Sequence, residues 1–176
     1  MMTSSPVLRL RQGVRALLAF SQPVEADLAA AYLVPPLLHL FSAMRRSEQL
    51  HSLNVLRAVL AQGETPPELA IAALLHDVGK SRYPLALWQK TVPVIVRALS
   101  PAMQAKLSNG DPSVLWRRPF VVYAHHPAWS AELAASAGAP ADAVWLIEHH
   151  QQDDALWHGH RLHHLLKRLQ AADDAN

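Results

Sequence analysis

The chain has 176 residues, about the length of one domain, and its 51% hydrophobic content is enough to fill a core and excludes an intrinsically disordered chain. Because it contains no cysteine, disulfides, thiolate zinc sites, iron–sulfur clusters and a cysteine nucleophile are excluded. The net charge of +2 provides no basic tract, so nucleic-acid binding by charge is not expected. The unusual feature is the 11 histidines, and any metal would have to be held by nitrogen and oxygen ligands.

The residue pattern predicts helices almost throughout. Alanine, leucine and arginine are abundant, and runs of β-branched residues are few and short. The predicted helices lie at 5–20, 25–32, from 35 onward, 47–62, 65–79, 84–99, from 101 onward, 120–137, 140–150 and 160–173. We therefore expect one all-α domain with an N-terminal helical extension.

Local signals set the ends of several of these helices. Ser47 is predicted to cap the helix at 47–62, and Thr65 with Glu68 is typical of a capping box. Gly79 is predicted to end the helix that this box begins, and Pro93 to break a later one.

No segment has the character of a membrane span or an export signal. The longest apolar runs, 33–40 and 92–99, are interrupted by proline and by a basic residue, and both are far shorter than the roughly 18 apolar residues of a spanning helix. Arg9 and Arg11 interrupt the apolar stretch at the N-terminus, which therefore lacks a signal-peptide core. We expect no transmembrane segment and a cytoplasmic location.

Five places combine histidine or aspartate with a predicted helix. They are His51, His76-Asp77, His125-His126, His149-His150 and Asp173. His76 and Asp77 close an apolar helix, where burying both without partners would cost several kcal/mol, whereas imidazole and carboxylate together suit a metal ion. Neighbouring helical residues point about 100° apart, so such a pair reaches one cavity only from a helix end. Of His125 and His126, only one is expected to point inward. We interpret the other five histidines as surface or hydrogen-bonded residues: His39, His158, His160, His163 and His164.

Residues 72–80, AALLHDVGK, resemble the signature of the HD-domain metal-dependent phosphohydrolases. That signature is an apolar helix ending in His-Asp, followed by an aliphatic residue, glycine and lysine. His51 resembles the upstream histidine of the family, and Asp173 resembles its distant aspartate. The resemblance covers about 47–174 and implies an HD-domain helical bundle.

Two further motifs resemble the binuclear branch of this family, which includes the HD-GYP cyclic-di-GMP phosphodiesterases. His126-Pro127 resembles its His-Pro helix, and His149-His150 resembles its double-His helix. The Gly-Tyr-Pro loop of the HD-GYP proteins does not follow His150 here. By resemblance, one metal ion would be held by His51, His76, Asp77 and Asp173, and a second by His126, His149 and His150, with Asp77 bridging the two.

The resemblance also implies a division of the chain. Residues 1–46 would form the N-terminal helical extension and 47–176 the HD domain, with an insertion near 83–119. The insertion carries tryptophans and cationic residues, namely Trp88, Lys90, Arg97, Lys106, Trp116, Arg117 and Arg118. It is interpreted either as a solvated helical insertion with buried tryptophans or as a lid that holds an anionic substrate over the metals.

The implied activity is hydrolysis of a small, anionic, nucleotide-like phosphomonoester or phosphodiester by a metal-activated water. Two divalent ions, drawn from Mn, Fe, Ni, Co, Zn or Mg, would lower the pKa of a bound water toward 7 and neutralise phosphoryl oxygens. The expected catalytic residues are Asp77 and Lys80. Asp77 would be the bridging ligand, and Lys80 would place a cation beside a non-bridging oxygen or the bridging water. Two alternatives remain open: a di-iron HD protein that activates oxygen, and a non-catalytic signalling or scaffold module.

Overall fold

The computed structural model describes residues 23–176, and this part of the chain is all-α, with no strand. The helix predicted at 5–20 lies outside the described residues. Numbered in chain order, the described α-helices are α1 (Ala26–Ala30), α2 (Pro35–Ala43), α3 (Arg46–Ala61), α4 (Pro67–Leu75), α5 (Leu87–Leu99), α6 (Pro101–Ser108), α7 (Arg118–Ser136), α8 (Ala141–His149) and α9 (His163–Asp174). Short 3-10 helices, Val78–Arg82 and Asp154–Trp157, follow α4 and α8.

Two predicted helix caps are wrong. α3 begins at Arg46, so Ser47 lies inside the first turn instead of capping it. α4 begins at Pro67 with Pro66 at the N-cap position and no side-chain cap, and the hydroxyl of Thr65 donates instead to the carbonyls of Gly63, at 3.0 Å, and Val59, at 3.4 Å. The proline at the first helical position has no N–H, so one of the donors that a helix start leaves unpaired is absent here.

Two helix ends also differ from the prediction. α4 ends at Leu75, before Gly79, because the chain tightens into the 3-10 helix Val78–Arg82. α5 continues through Pro93, whose ring is buried, so packing offsets part of the roughly 3 kcal/mol that a proline costs inside a helix. The predicted start of the next helix at 101 is confirmed: α6 begins at Pro101, and the hydroxyl oxygen of Ser100 caps it by accepting the backbone N–H of Met103 at 3.3 Å.

α4 is the central helix of the bundle. Residues 69–75 are all buried, and a helix that is apolar on every face must be enclosed by other elements. It packs against α3, α8 and α9. α1 and α2 join the same core through Ala29, Leu37 and Phe41, so the described part of the predicted extension packs with the rest of the bundle. The division of the chain at 46 stays a prediction. No described helix has both the length and the apolar character needed to cross a membrane.

Gly79 allows the 3-10 helix after α4 to touch the backbone of α7. A β-carbon at this position would lie 2.5 Å from the carbonyl oxygen of His126 and 2.7 Å from the backbone nitrogen of Ser130. The Gly79 N–H donates to the Ser130 hydroxyl at 2.8 Å. This close approach brings the end of α4 beside the middle of α7, where His126 lies.

Candidate metal centre

Six of the histidines and aspartates singled out in the sequence meet in the interior of the bundle. His76 and His150 are the C-terminal caps of α4 and α8, and Asp77 follows directly after the first of them. The others lie within helices: His51 in α3, His126 in α7 and Asp173 in the last turn of α9. Five elements of the fold therefore each supply a side chain to one place.

The two oxygens of Asp77 face different histidines. Oδ2 lies 3.7 Å from Nε2 of His76 and 3.9 Å from Nε2 of His51, whereas Oδ1 lies 3.3 Å from Nε2 of His126. Asp173 closes one side of the group, with its Oδ1 2.9 Å from Nε2 of His51 and 3.6 Å from Nε2 of His76. A carboxylate in this position can contribute one oxygen to each of two ligand sets.

Backbone carbonyls fix the orientation of the three fully enclosed imidazoles. Nδ1 of His76 donates to the carbonyl of Ala73 at 3.1 Å, and Nδ1 of His150 donates to the carbonyl of Ile147 at 2.7 Å. Nδ1 of His126 lies 3.0 Å from the carbonyl of Val122. With the proton on Nδ1, each ring presents the lone pair of Nε2, and these three Nε2 atoms are buried without a hydrogen-bond partner.

Lys80 neutralises part of the negative charge of the centre. Its ammonium donates to Oδ2 of Asp77 at 2.6 Å. Burial by itself lowers the pKa of Lys80, but Asp77 raises it above its ordinary value, so the lysine is charged at neutral pH. The same ion pair leaves Oδ1 of Asp77 directed at His126.

Both carboxylates of the centre are ionised at neutral pH. Burial by itself raises the pKa of Asp77, but Lys80 and His76 hold it well below its ordinary range. Burial likewise raises the pKa of Asp173, and His76 and His51 lower it well below that range. The group is therefore an anionic one surrounded by imidazoles.

The buried histidines differ in protonation. Burial lowers the pKa of His76, but the two carboxylates raise it above its ordinary 6.5. Burial and the charge of Lys80 lower the pKa of His126. Burial and the neighbouring imidazoles lower the pKa of His150 to about 3. His126 and His150 are thus neutral at pH 7, which is the form that binds a metal.

These residues fit a divalent metal ion. Unpartnered Nε2 atoms, buried beside ionised carboxylates, are costly in an apolar interior unless a cation is bound among them. Nitrogen and oxygen donors of this kind are used by Zn, Mn, Fe and related ions. Three overlapping sets have ligand atoms within 4.8 Å of one another: His51, His76 and Asp77; His76, His150 and Asp173; and Asp77, His126 and His150.

His149 is not brought to this centre. Its Nδ1 donates to the carbonyl of Trp145 at 2.7 Å, and its ring stacks on Trp145 and meets the edge of Trp157, with centroid separations of 4.4 Å in both cases. The reason is helical geometry, because the residue before an inward-facing cap points about 100° away from it. Of the other adjacent pair, His126 points inward and His125 is exposed.

Among the described residues, two cavities border the centre and a third adjoins one of them. One of about 340 Å³ is lined by His150, Arg97 and four aspartates, which are Asp153, Asp154, Asp173 and Asp174. One of about 160 Å³ is lined by Lys80, Glu48, two glutamines, Tyr123 and apolar side chains. A third, of about 500 Å³, shares Arg97 and Tyr123 with the first. The two larger volumes lie within the range of about 300–1,000 Å³ that is typical of small-molecule sites.

Sequence reasoning missed one further group of candidate ligands. Asp154, His158 and His163 have ligand atoms within 4.8 Å of one another, whereas the sequence alone indicated only surface or hydrogen-bonded roles for these histidines. The only signal in the sequence is that the three lie close together along the chain.

The fold and the site define an all-α protein with a buried group of histidines and aspartates suited to metal binding. The family model of the HD domain matches residues 50–175, so the chain belongs to the HD-domain family and the resemblance is confirmed. Members of this superfamily are mostly metal-dependent hydrolases. No curated protein and no solved structure matches the chain significantly.

Proposed function

We propose that the protein is a metal-dependent phosphohydrolase that cleaves a small phosphomonoester or phosphodiester. The observation that carries this proposal is the set of three buried, unpartnered Nε2 atoms arranged around the ionised Asp77. In this proposal one ion is held by His51, His76, Asp77 and Asp173, and a second by Asp77, His126 and His150. His149 has no part in it, because its ring packs between tryptophans.

Divalent ions bound there would supply a water of lowered pKa and neutralise phosphoryl oxygens. The side chains of the chain itself hold the centre in readiness. Lys80 keeps Asp77 ionised, and it lines the cavity of about 160 Å³, where its ammonium is available to a phosphoryl oxygen. The carbonyls that accept from Nδ1 keep the imidazoles in the ligand tautomer without any movement on substrate binding.

The inserted helices support a substrate with an anionic part and a larger organic part. Arg97 of α5 lines both the cavity of about 340 Å³ at the centre and the adjoining cavity of about 500 Å³. Its guanidinium donates to the hydroxyl of Tyr123 at 2.9 Å, so it is already oriented. Of the two interpretations of the insertion, this arrangement favours the lid that holds an anionic substrate over the metals. It disfavours the solvated helical insertion.

The decisive experiment compares Asp77→Asn with Asp27→Asn, an exposed aspartate on α1. Elemental analysis of the purified proteins is combined with a panel of phosphomonoesters and phosphodiesters. We expect Asp77→Asn to lose bound metal and to fall at least about 100-fold in turnover, because it removes the ligand shared by both sets. Asp27→Asn should match the unsubstituted protein, and full turnover by Asp77→Asn would refute the proposed mechanism.

The same purified protein distinguishes the two alternative functions. The donor set contains nitrogen and oxygen only, which an iron pair also accepts. The oxygenase alternative would be favoured if the protein contains iron after aerobic purification, takes up oxygen and does not turn over any phosphoester. A protein that contains no metal and binds none would favour a non-catalytic module, although all six inward ligands are in place.

A further inference from the structure

The segment 151–162 connects two elements that supply ligands to the centre. It begins after His150 and leads into α9, which carries Asp173. In its middle lies the 3-10 helix Asp154–Trp157, whose first turn is capped by the carboxylate of Asp153 accepting the backbone N–H of Ala155 at 3.1 Å. The segment therefore joins the helix end at His150 to the helix that carries Asp173.

Three potential ligands meet at this segment, and none belongs to the six of the centre. Nε2 of His163 lies 3.2 Å from Oδ2 of Asp154. The rings of His158 and His163 meet edge to face with centroids 4.9 Å apart. Each of the three side chains offers one ligand atom, and these atoms all lie within 4.8 Å of one another.

We propose that Asp154, His158 and His163 form a separate zinc-type site that holds the segment 151–162 against α9. Two imidazoles and one carboxylate, with water completing the shell, are a ligand set that zinc accepts. Metal–ligand distances of 2.0–2.2 Å place tetrahedral ligand atoms about 3.4 Å apart, which the His163–Asp154 pair already matches. The third ligand atom, on His158, must move closer to the other two to complete the site. The side chain of His158 is exposed, so it can rotate toward them.

Lys167 is the competing cation at this site. Its ammonium lies 3.9 Å from the same Oδ2 of Asp154, one helical turn after His163. Its side chain is 60% exposed, so it can swing into solvent when a metal ion replaces it. Asp154 also lines the cavity of about 340 Å³ beside His150 and Asp173. A metal ion here would therefore fix one wall of the cavity next to the centre.

The test titrates the full-length, chelator-treated protein with Zn²⁺ by calorimetry and counts bound zinc by elemental analysis. We expect His158→Ala to lose one zinc equivalent, or to bind it about 10-fold or more weakly, because one of three protein ligands is gone. His164→Ala is the matched control, since His164 is exposed and adjacent to His163 but outside the group. It should bind as the unsubstituted protein does.

Asp77→Asn separates this site from the centre. It should keep the zinc equivalent that His158→Ala loses, even if the proposed function is wrong. Undiminished zinc binding by His158→Ala, or the loss of all zinc in Asp77→Asn, would overturn the inference. If His163 and Asp154 form only an imidazole–carboxylate hydrogen bond and bind no metal, zinc binding by His158→Ala will be undiminished.

Discussion

At the scale of single residues, the choice between neighbouring histidines depends on what each ring nitrogen and ring face can reach. Nδ1 of His150 donates to the carbonyl of Ile147, which directs Nε2 into the centre. Nδ1 of His149 also donates to a carbonyl, but its ring is stacked on Trp145. Both rings are well held, and only one of them is available to a metal.

This difference predicts opposite phenotypes for two adjacent substitutions. His150→Ala should bind metal about 10-fold or more weakly and therefore retain little of it, because a buried ligand is lost. His149→Ala should keep its metal content and lose about 1 kcal/mol of unfolding free energy, which is the usual worth of an aromatic contact. Elemental analysis and urea unfolding measure the two effects. Equal metal loss in both variants would contradict the placement of His149.

Part of the centre was predictable from a local signal, whereas His51, Asp173 and the two ligand sets were predicted from the resemblance to the HD-domain family. His76 and Asp77 end an apolar helix, and this alone identifies them as a buried polar pair. The choice of His126 over His125, and of His150 over His149, depends on the rotation of α7 and α8 about their axes. That rotation is set by packing against other helices, which a single sequence does not encode locally.

At the scale of the elements, the helices of the core follow the sequence pattern and their ends follow tertiary contacts. α4 was predicted from its apolar run, but its end at Leu75 depends on the close approach of Gly79 to α7. α5 was expected to break at Pro93 and instead continues, with that proline buried. Neither outcome is visible in a local window of the chain.

Helix α5, which lies in the proposed insertion, is proposed to bind substrate, and this role can be tested. Arg97→Ala should raise KM about 10-fold or more with metal content unchanged, because a charge-assisted hydrogen bond to an anionic group is worth about 1.5–3 kcal/mol. Steady-state kinetics on the best substrate of the phosphoester panel measures this. Lys106→Ala on α6 is the control, since this exposed lysine lines none of the three cavities around the centre. An unchanged KM in Arg97→Ala would show that α5 does not contact the anion.

At the scale of the whole molecule, the centre joins five elements that are distant along the chain. His51 and Asp173 are separated by 122 residues and lie 2.9 Å apart at their closest atoms. Ionised carboxylates and neutral imidazoles in the same interior stabilise the fold only when their charges are matched. We therefore expect the stability of the bundle to be coupled to protons and to the proposed metal ions.

The metal-free protein should lose stability as the pH falls from about 7 to 5. In the fold, the pKa of His150 is about 3 against an ordinary 6.5, and that of His126 is also lowered. The unfolded chain therefore binds more protons in this range, which favours unfolding on acidification. His76, whose pKa is raised, acts in the opposite direction. One net proton corresponds to at most about 1.4 kcal/mol per pH unit.

Thermal unfolding of the chelator-treated protein across this pH range measures the effect. His150→Gln removes a titrating imidazole from the centre and should flatten the pH dependence, whereas His39→Gln on the exposed face of α2 should leave it unchanged. Added divalent metal should raise the Tm at pH 7 and lose this effect toward pH 5, because protons compete for the same Nε2 atoms. A Tm that stays level or rises on acidification of the metal-free protein would mean that the imidazoles of the centre are not buried in their neutral form.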